Sequence, residues 1–137
     1  MVNIRLSPHF SLFEMTATSR KVENTPTVEA VVNLCRLCNE VLEPARKKYG
    51  RPIIVTSGYR CAKLTDLVGG VKPSRHLTGQ AADLRVENKE LGRKLFDALK
   101  DLPAIDELLY EHKGSARWIH VAWSENPRHK INFNYEG

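Results

Sequence analysis

Two histidines and one aspartate are the residues whose types and positions best fit a chemical site. His76 and Asp83 lie close together in "SRHLTGQAADLRV" (74–86), and His120 lies in "WIHV" (118–121). An aspartate in a run that otherwise predicts a buried strand is energetically costly unless a partner compensates its charge. Imidazole nitrogens and carboxylate oxygens bind zinc, and catalytic zinc sites have three protein ligands and one open position. The sequence therefore predicts a zinc site formed by His76, Asp83 and His120.

Small and polar neighbours support this site. Ala81 shares the strand face of Asp83, and its small side chain leaves room for an ion. Gly79 permits a tight turn between the histidine loop and the strand. Ser74 is expected to hydrogen-bond within the loop and to orient His76.

The elements that position these residues follow from hydrophobic periodicity. Residues 105–111 and 117–123 alternate between apolar and polar and predict a hairpin. The remaining predicted elements are a helix over 25–49, a short buried strand over 52–58, a helical turn over 61–70, a loop over 71–79, a strand over 80–86, a helix over 88–102 and an edge strand near 131–133. This order predicts one α+β domain over residues 1–137, with a small antiparallel sheet and flanking helices.

The composition is that of an ordinary soluble domain with a mild positive charge. The chain has 137 residues, of which 42% are hydrophobic and 27% charged, and its net charge is +5. The basic residues are scattered without interleaved aromatic residues, a pattern that does not predict nucleic-acid binding. No run reaches the length of a membrane span, and the first residues lack the apolar stretch of a secretory signal. We therefore expect a monomer without a nucleic-acid or membrane partner, made in the cytoplasm.

Three cysteines are present, and two of them, Cys35 and Cys38, form a CxxC pair. Both fall on the apolar stripe of the helix predicted over 25–49. The sequence contains no second CxxC pair, and an odd cysteine count does not predict a disulfide framework. We therefore expect Cys35 and Cys38 to be core residues rather than metal ligands.

The motifs of the predicted zinc site resemble the signature of a known enzyme family. The pattern SxHxxGxAxD over residues 74–83, followed by "WIH" at 118–120, is similar to that of the zinc D-alanyl-D-alanine carboxypeptidases. These enzymes cut cell-wall peptides and are related in fold to lysostaphin-type peptidases and hedgehog domains. The segments "HFSLFEM" (9–15), "TSGYR" (56–60) and "LVGG" (67–70) extend the resemblance over nearly the whole chain.

The resemblance implies a role for each site residue. His76, Asp83 and His120 would bind Zn²⁺. Arg60, which closes "SGYR", would bind a substrate carboxylate or the oxyanion that develops during hydrolysis. Arginine suits this role because its planar guanidinium is permanently charged and donates several hydrogen bonds.

The family also needs a general base, and here the sequence leaves alternatives open. Some relatives carry an acid three residues before the last histidine, where this chain has Arg117. Others carry it on the preceding strand, which points to Glu111, with Glu107 and Asp106 as competitors. Glu111 shares a sheet face with His120 in one hairpin register, and a shift of one residue would turn it away.

The resemblance implies a zinc-dependent peptidase that hydrolyses peptidoglycan stem peptides, as a D-Ala-D-Ala carboxypeptidase or a murein endopeptidase. A lone catalytic domain without an export signal is similar to a phage or prophage lysis enzyme, which would reach the wall after release or by non-classical export. The alternative is a metal-binding module of the same fold that acts in binding or structure without catalysis. Two positions depart from the family pattern: Arg75 stands where glutamine is frequent, and Thr65 where asparagine is frequent.

Overall fold

The structure, a computed structural model that describes residues 2–68 and 74–133, has an α+β architecture, as the sequence predicts. Its strands are β1 (Arg5–Ser7), β2 (Phe10–Ser11), β3 (Val55–Ser57), β4 (Ala81–Arg85), β5 (Ile105–Lys113), β6 (Ala116–Trp123) and β7 (Lys130–Phe133). β1 and β2 form a small separate sheet, and the other five form one sheet in the order β3-β4-β6-β5-β7. This larger sheet carries the predicted metal ligands Asp83 and His120.

The five-stranded sheet is antiparallel except at one edge, where β7 runs parallel to β5. β6 ends at Trp123 beside Ile105, where β5 begins. The connection 124–129 then crosses to the other side of β5, so β7 starts beside Glu107 and runs in the direction of β5. The edge strand expected near 131–133 is confirmed, and its parallel direction makes the sheet mixed.

The hairpin of β5 and β6 is longer than its apolar pattern predicts. Its two strands continue to a short turn at residues 114–115. Gly114 has a φ of 60°, a conformation that glycine adopts without steric cost. His120 lies on the outer face of β6, and its neighbours Ile119 and Val121 are buried on the inner face. This alternation is expected for a strand with one face on the core.

Five α-helices flank the sheets in the part of the chain that the structure describes, and they are α1 (Leu12–Thr16), α2 (Val28–Leu37), α3 (Glu43–Tyr49), α4 (Ala62–Leu67) and α5 (Lys89–Leu99). A π-helical turn over Cys38–Leu42 joins α2 to α3, so the helical run ends at Tyr49 as predicted. The run begins at Val28 rather than near residue 25, because the side chain of Thr27 caps it by accepting a hydrogen bond from the backbone N of Ala30.

The start of α5 agrees with the sequence prediction. Asn88 caps it by accepting a hydrogen bond from the backbone N of Leu91 at 2.9 Å. Gly92 is needed for packing rather than for helix formation, since a Cβ at this position would collide with the side chains of Val86 and Tyr110.

The segments around the histidine loop differ in detail from their predictions. β3 is a partly exposed edge strand rather than a buried one, and it spans three residues because its pairing with β4 is interrupted by a bulge. The helical turn predicted over 61–70 is α4, although its last two residues lie outside the described ones. The predicted loop 71–79 contains a 3₁₀ turn over Arg75–Thr78, and residues 71–73 lie outside the described ones.

The hydrophobic core lies between the helices and the inner face of the large sheet. Cys38 is fully buried there, and burial raises the pKa of its thiol to about 12. Cys35 is only partly buried and packs against the edge of the core. Both cysteines therefore pack with the core, as predicted, and Cys38 is a small apolar core residue. Within the ranges 2–68 and 74–133, the helices are too short or too polar to span a bilayer.

Candidate active site

His76 is held by the 3₁₀ turn that contains it. The Ser74 hydroxyl caps the turn by accepting a hydrogen bond from the backbone N of His76 at 3.2 Å, as the sequence predicts. Gly79 ends the turn with a φ of 77°, and a Cβ there would collide with the backbone of Ala30. The His76 side chain is 2% exposed, and the turn therefore holds the imidazole inside the protein.

The two ring nitrogens of His76 have different surroundings. Nδ1 lies 2.7 Å from the carbonyl oxygen of Gly58, which can only accept a hydrogen bond. Nδ1 therefore carries a proton, and in the neutral imidazole Nε2 presents a free electron pair. Nε2 is buried without a hydrogen-bond partner among the described residues, and it lies 3.3 Å from Oδ1 of Asp83. This tautomer is the one that a metal ligand requires.

Asp83 and His120 meet because they are directly paired between β4 and β6. Nδ1 of His120 lies 3.1 Å from Oδ1 of Asp83, and the rings of His76 and His120 are 5.3 Å apart. One ligand atom from each of the three residues lies within 4.8 Å of the other two. The structure thus brings together the three predicted metal ligands, and the set of two imidazoles and one carboxylate fits zinc.

The electrostatics of this cluster favour a cation. Burial opposes the charge of Asp83, but the hydrogen bond with His120, together with the nearby His76 imidazole, outweighs burial and holds the pKa of its carboxyl well below its usual range. Burial likewise opposes the charge of His120, but Asp83 and Glu107 raise the pKa of its imidazole to about 9. Without a metal, a proton on His120 therefore supplies the positive charge that the carboxylates need.

Arg60 is placed beside the cluster by its backbone. Its N donates to the carbonyl oxygen of His76 at 3.0 Å. The side chain of Asn24 fixes both neighbours of Arg60, since it donates to the carbonyl oxygen of Tyr59 and accepts from the backbone N of Cys61, each at 2.8 Å. Nε of Arg60 is buried and has no hydrogen-bond partner within 2–68 and 74–133. An acceptor on a bound molecule would pair this donor.

The three candidate bases occupy different environments. Glu111 pairs with Trp118, so it lies on the outer face with His120, and the hairpin register assumed from the sequence is the observed one. Among the described residues, its carboxylate has no hydrogen bond or ion pair. Glu107 instead contacts His120, with 3.2 Å between its Oε1 and Nε2 of the imidazole. Asp106 is fully buried and bound by arginine side chains, so it cannot accept a proton at the metal site.

Sequence reasoning missed the partners of Asp106. Arg128 donates to both of its carboxylate oxygens, and Nη2 of Arg75 lies 3.4 Å from Oδ2. Arg128 follows the last well-defined strand pattern, in an irregular segment, and no spacing rule connects it to Asp106. Thr65 buries a hydroxyl without a hydrogen-bond partner among the described residues, a feature that its sequence context does not predict.

A sequence profile of the Peptidase M15 family matches residues 8–122, which include all three predicted ligands, Arg60 and the candidate bases. The chain belongs to the Peptidase M15 family. M15 peptidases are zinc-dependent, so the resemblance to zinc D-Ala-D-Ala carboxypeptidases is confirmed at the level of the family. The M15 match ends at Ala122, and β7 and Arg128 lie beyond it. A search of curated proteins gave no match.

Proposed function

We propose that this M15 peptidase hydrolyses peptide bonds in the stem peptides of peptidoglycan, with Zn²⁺ held by His76, Asp83 and His120. The observation that carries the proposal is the buried Nε2 of His76, which has an electron pair and no hydrogen-bond partner among the described residues. Buried polar atoms are nearly always paired, and a cation shared with Asp83 and His120 would pair this one.

Glu111 is the proposed general base. When bound, zinc activates water and polarises the carbonyl of the scissile peptide. Glu111 would accept the proton of the attacking water and pass it to the leaving amine. Two observations support this role: Glu111 lies on the outer face of the sheet with His120, and its carboxylate is not engaged by any other described residue.

Arg60 is the proposed anchor of the substrate. Its buried Nε, which has no hydrogen-bond partner among the described residues, and its backbone contact with His76 suit it to bind a carboxylate or the developing oxyanion. Stem peptides offer such carboxylates at their ends. The net charge of +5 supports a weak attraction to anionic wall polymers.

The test is a digest of purified peptidoglycan, analysed by mass spectrometry with the protein, with protein and a chelator, and with zinc restored after chelation. We expect products that disappear with the chelator and return with zinc. Release of terminal D-alanine would indicate a carboxypeptidase, and internal stem fragments would indicate an endopeptidase. His76→Ala is the matched control, because it removes one ligand. A digest that stays unchanged in every arm would refute the proposed activity.

A further inference from the structure

His120 has a different partner on each ring nitrogen. Nδ1 lies 3.1 Å from Oδ1 of Asp83, the oxygen that also lies 3.3 Å from Nε2 of His76. Nδ1 is therefore the nitrogen that faces the other two ligands. Nε2 points the other way, toward Oε1 of Glu107 at 3.2 Å. An ionised carboxylate only accepts hydrogen bonds, so without a metal each contact needs a proton on its ring nitrogen. A cation shared with Asp83 and His76 would replace the proton on Nδ1 and leave the proton on Nε2 with Glu107.

Glu107 is itself held in place. Its other oxygen, Oε2, lies 3.5 Å from Nη2 of Arg128. Arg128 donates to Asp106 from its backbone N at 3.1 Å, from Nε at 3.0 Å and from Nη2 at 2.8 Å. The Asp106 side chain is 0% exposed, which makes it a fixed anchor for the guanidinium. A charge-assisted pair with two parallel hydrogen bonds also fixes orientation.

The same buried carboxylate reaches the second histidine. Nη2 of Arg75 lies 3.4 Å from Oδ2 of Asp106, and Arg75 directly precedes His76 in the 3₁₀ turn. Asp106 therefore connects the two histidine ligands indirectly. It binds Arg75, which precedes His76, and it binds Arg128, which contacts Glu107 beside His120.

From these contacts we infer that Glu107 is a positioning residue, which fixes His120 with Nδ1 toward the metal, and that Arg128 and Asp106 hold Glu107 in this role. The inference rests on the metal site of the proposed function. It removes Glu107 from the candidate bases, because its carboxylate lies at the nitrogen of His120 that faces away from the other ligands. Carboxylates that hold a ligand histidine through its second nitrogen typically contribute about 10–100-fold to metal affinity.

The first test measures zinc affinity by competition with a chromophoric chelator. Glu107→Ala should bind zinc about 10–100-fold more weakly than the parent protein. Glu107→Gln should retain most of the affinity, because its amide oxygen still accepts from Nε2. Glu87→Ala is the matched control, since Glu87 is exposed and contacts Arg85 rather than the site, and it should not change the affinity.

The outcomes separate this inference from the proposed function. Equal zinc affinity in the parent and in Glu107→Ala would overturn the inference while leaving the metal site in place. A Glu107→Gln variant that binds zinc normally but loses turnover by about 10²–10⁴-fold would also overturn it, because that pattern is expected of a general base. If the parent protein binds no zinc, the proposed function fails and the inference fails with it.

A second test reads the tautomers directly. In zinc-loaded protein with ¹⁵N-labelled histidine, long-range ¹H–¹⁵N NMR should show the proton of His76 on Nδ1 and that of His120 on Nε2. The Nε2 proton of His120 should exchange faster with water in Glu107→Ala than in the parent. A proton on Nδ1 of His120 in the zinc-loaded protein would overturn the inference.

Discussion

Glu111 is the residue whose replacement should separate chemistry from metal binding. It does not belong to the ligand cluster, so Glu111→Gln should retain the fold and bound zinc. Glutamine cannot accept a proton at neutral pH, and turnover of wall peptide should fall by about 10²–10⁴-fold. Initial rates measured together with zinc content by elemental analysis would check this, with Glu87→Gln as the control. Near-native hydrolysis by Glu111→Gln would show that another group is the base.

Arg60 should affect the substrate rather than the metal. Hydrogen bonds to charged groups contribute about 1.5–3 kcal/mol, so Arg60→Ala should lower kcat/KM by about 10–150-fold. The measurement compares a peptide with a free carboxylate and the same peptide as its amide. A loss confined to the free acid indicates a carboxylate anchor, and an equal loss on both indicates an oxyanion donor. The exposed Arg51→Ala is the control, and an unchanged kcat/KM in Arg60→Ala would contradict both roles.

At the scale of elements, the joined helices α2 and α3 depend on Cys38 as a packing residue. Cys38 is fully buried, so Cys38→Ala should lower the free energy of unfolding by about 1–3 kcal/mol. Cys35→Ala should cost less, because Cys35 lies at the edge of the core. Urea unfolding measures both, and zinc content should be unchanged in each variant. Loss of zinc from either folded variant would contradict the assignment of these thiols to the core.

The ion pair between Asp106 on β5 and Arg128 in the 124–129 connection should make the free energy of unfolding depend on pH in the acid range. Hydrogen bonds from Arg128 hold the pKa of Asp106 below its ordinary value of 3.8. A carboxyl with a lowered folded pKa stabilises the protein above its unfolded pKa and loses that contribution as the pH falls through the folded pKa. The free energy of unfolding should therefore decrease below about pH 4.

Urea unfolding of the parent protein and of Asp106→Asn between pH 2 and 7 would measure this contribution. The variant should be less stable at neutral pH, and the difference between the two proteins should shrink in acid. Asp101→Asn is the control, because Asp101 is exposed at the surface. A difference between parent and Asp106→Asn that does not change with pH would contradict the prediction.

At the scale of the whole molecule, zinc should stabilise the fold. The three ligands come from a 3₁₀ turn and two strands, so the unfolded chain does not hold them together. Binding that is specific for the folded state adds about 2.7 kcal/mol when free zinc is 100 times its Kd. The unfolding midpoint of the parent should rise with added zinc, whereas that of His76→Ala should not. An equal rise in both proteins would place the bound zinc elsewhere.

The parts of the fold that could be predicted are those that depend on short-range patterns. Alternation placed Asp83 and His120 on strands, and the side chain of Asn88 marked the start of α5. The contact of Arg128 with Asp106 could not be predicted, because it joins an irregular segment to a strand bulge. The role inferred for Glu107 also could not be predicted from the sequence. It depends on which nitrogen of His120 faces the other ligands, and residue spacing does not determine the orientation of an imidazole ring.

The direct pairing of β4 with β6 has a consequence for how the chain tolerates mutation. Backbone hydrogen bonds set the spacing of Asp83 and His120, and nearly any side chain that suits a strand maintains those bonds. His76 has no such protection, since its position needs the Ser74 hydroxyl and a glycine at position 79. Substitutions near the site should therefore displace His76 more readily than Asp83 or His120. In a library of random variants selected for metal binding, substitutions at residues 74–79 should be depleted more strongly than substitutions at the non-ligand positions of β4 and β6.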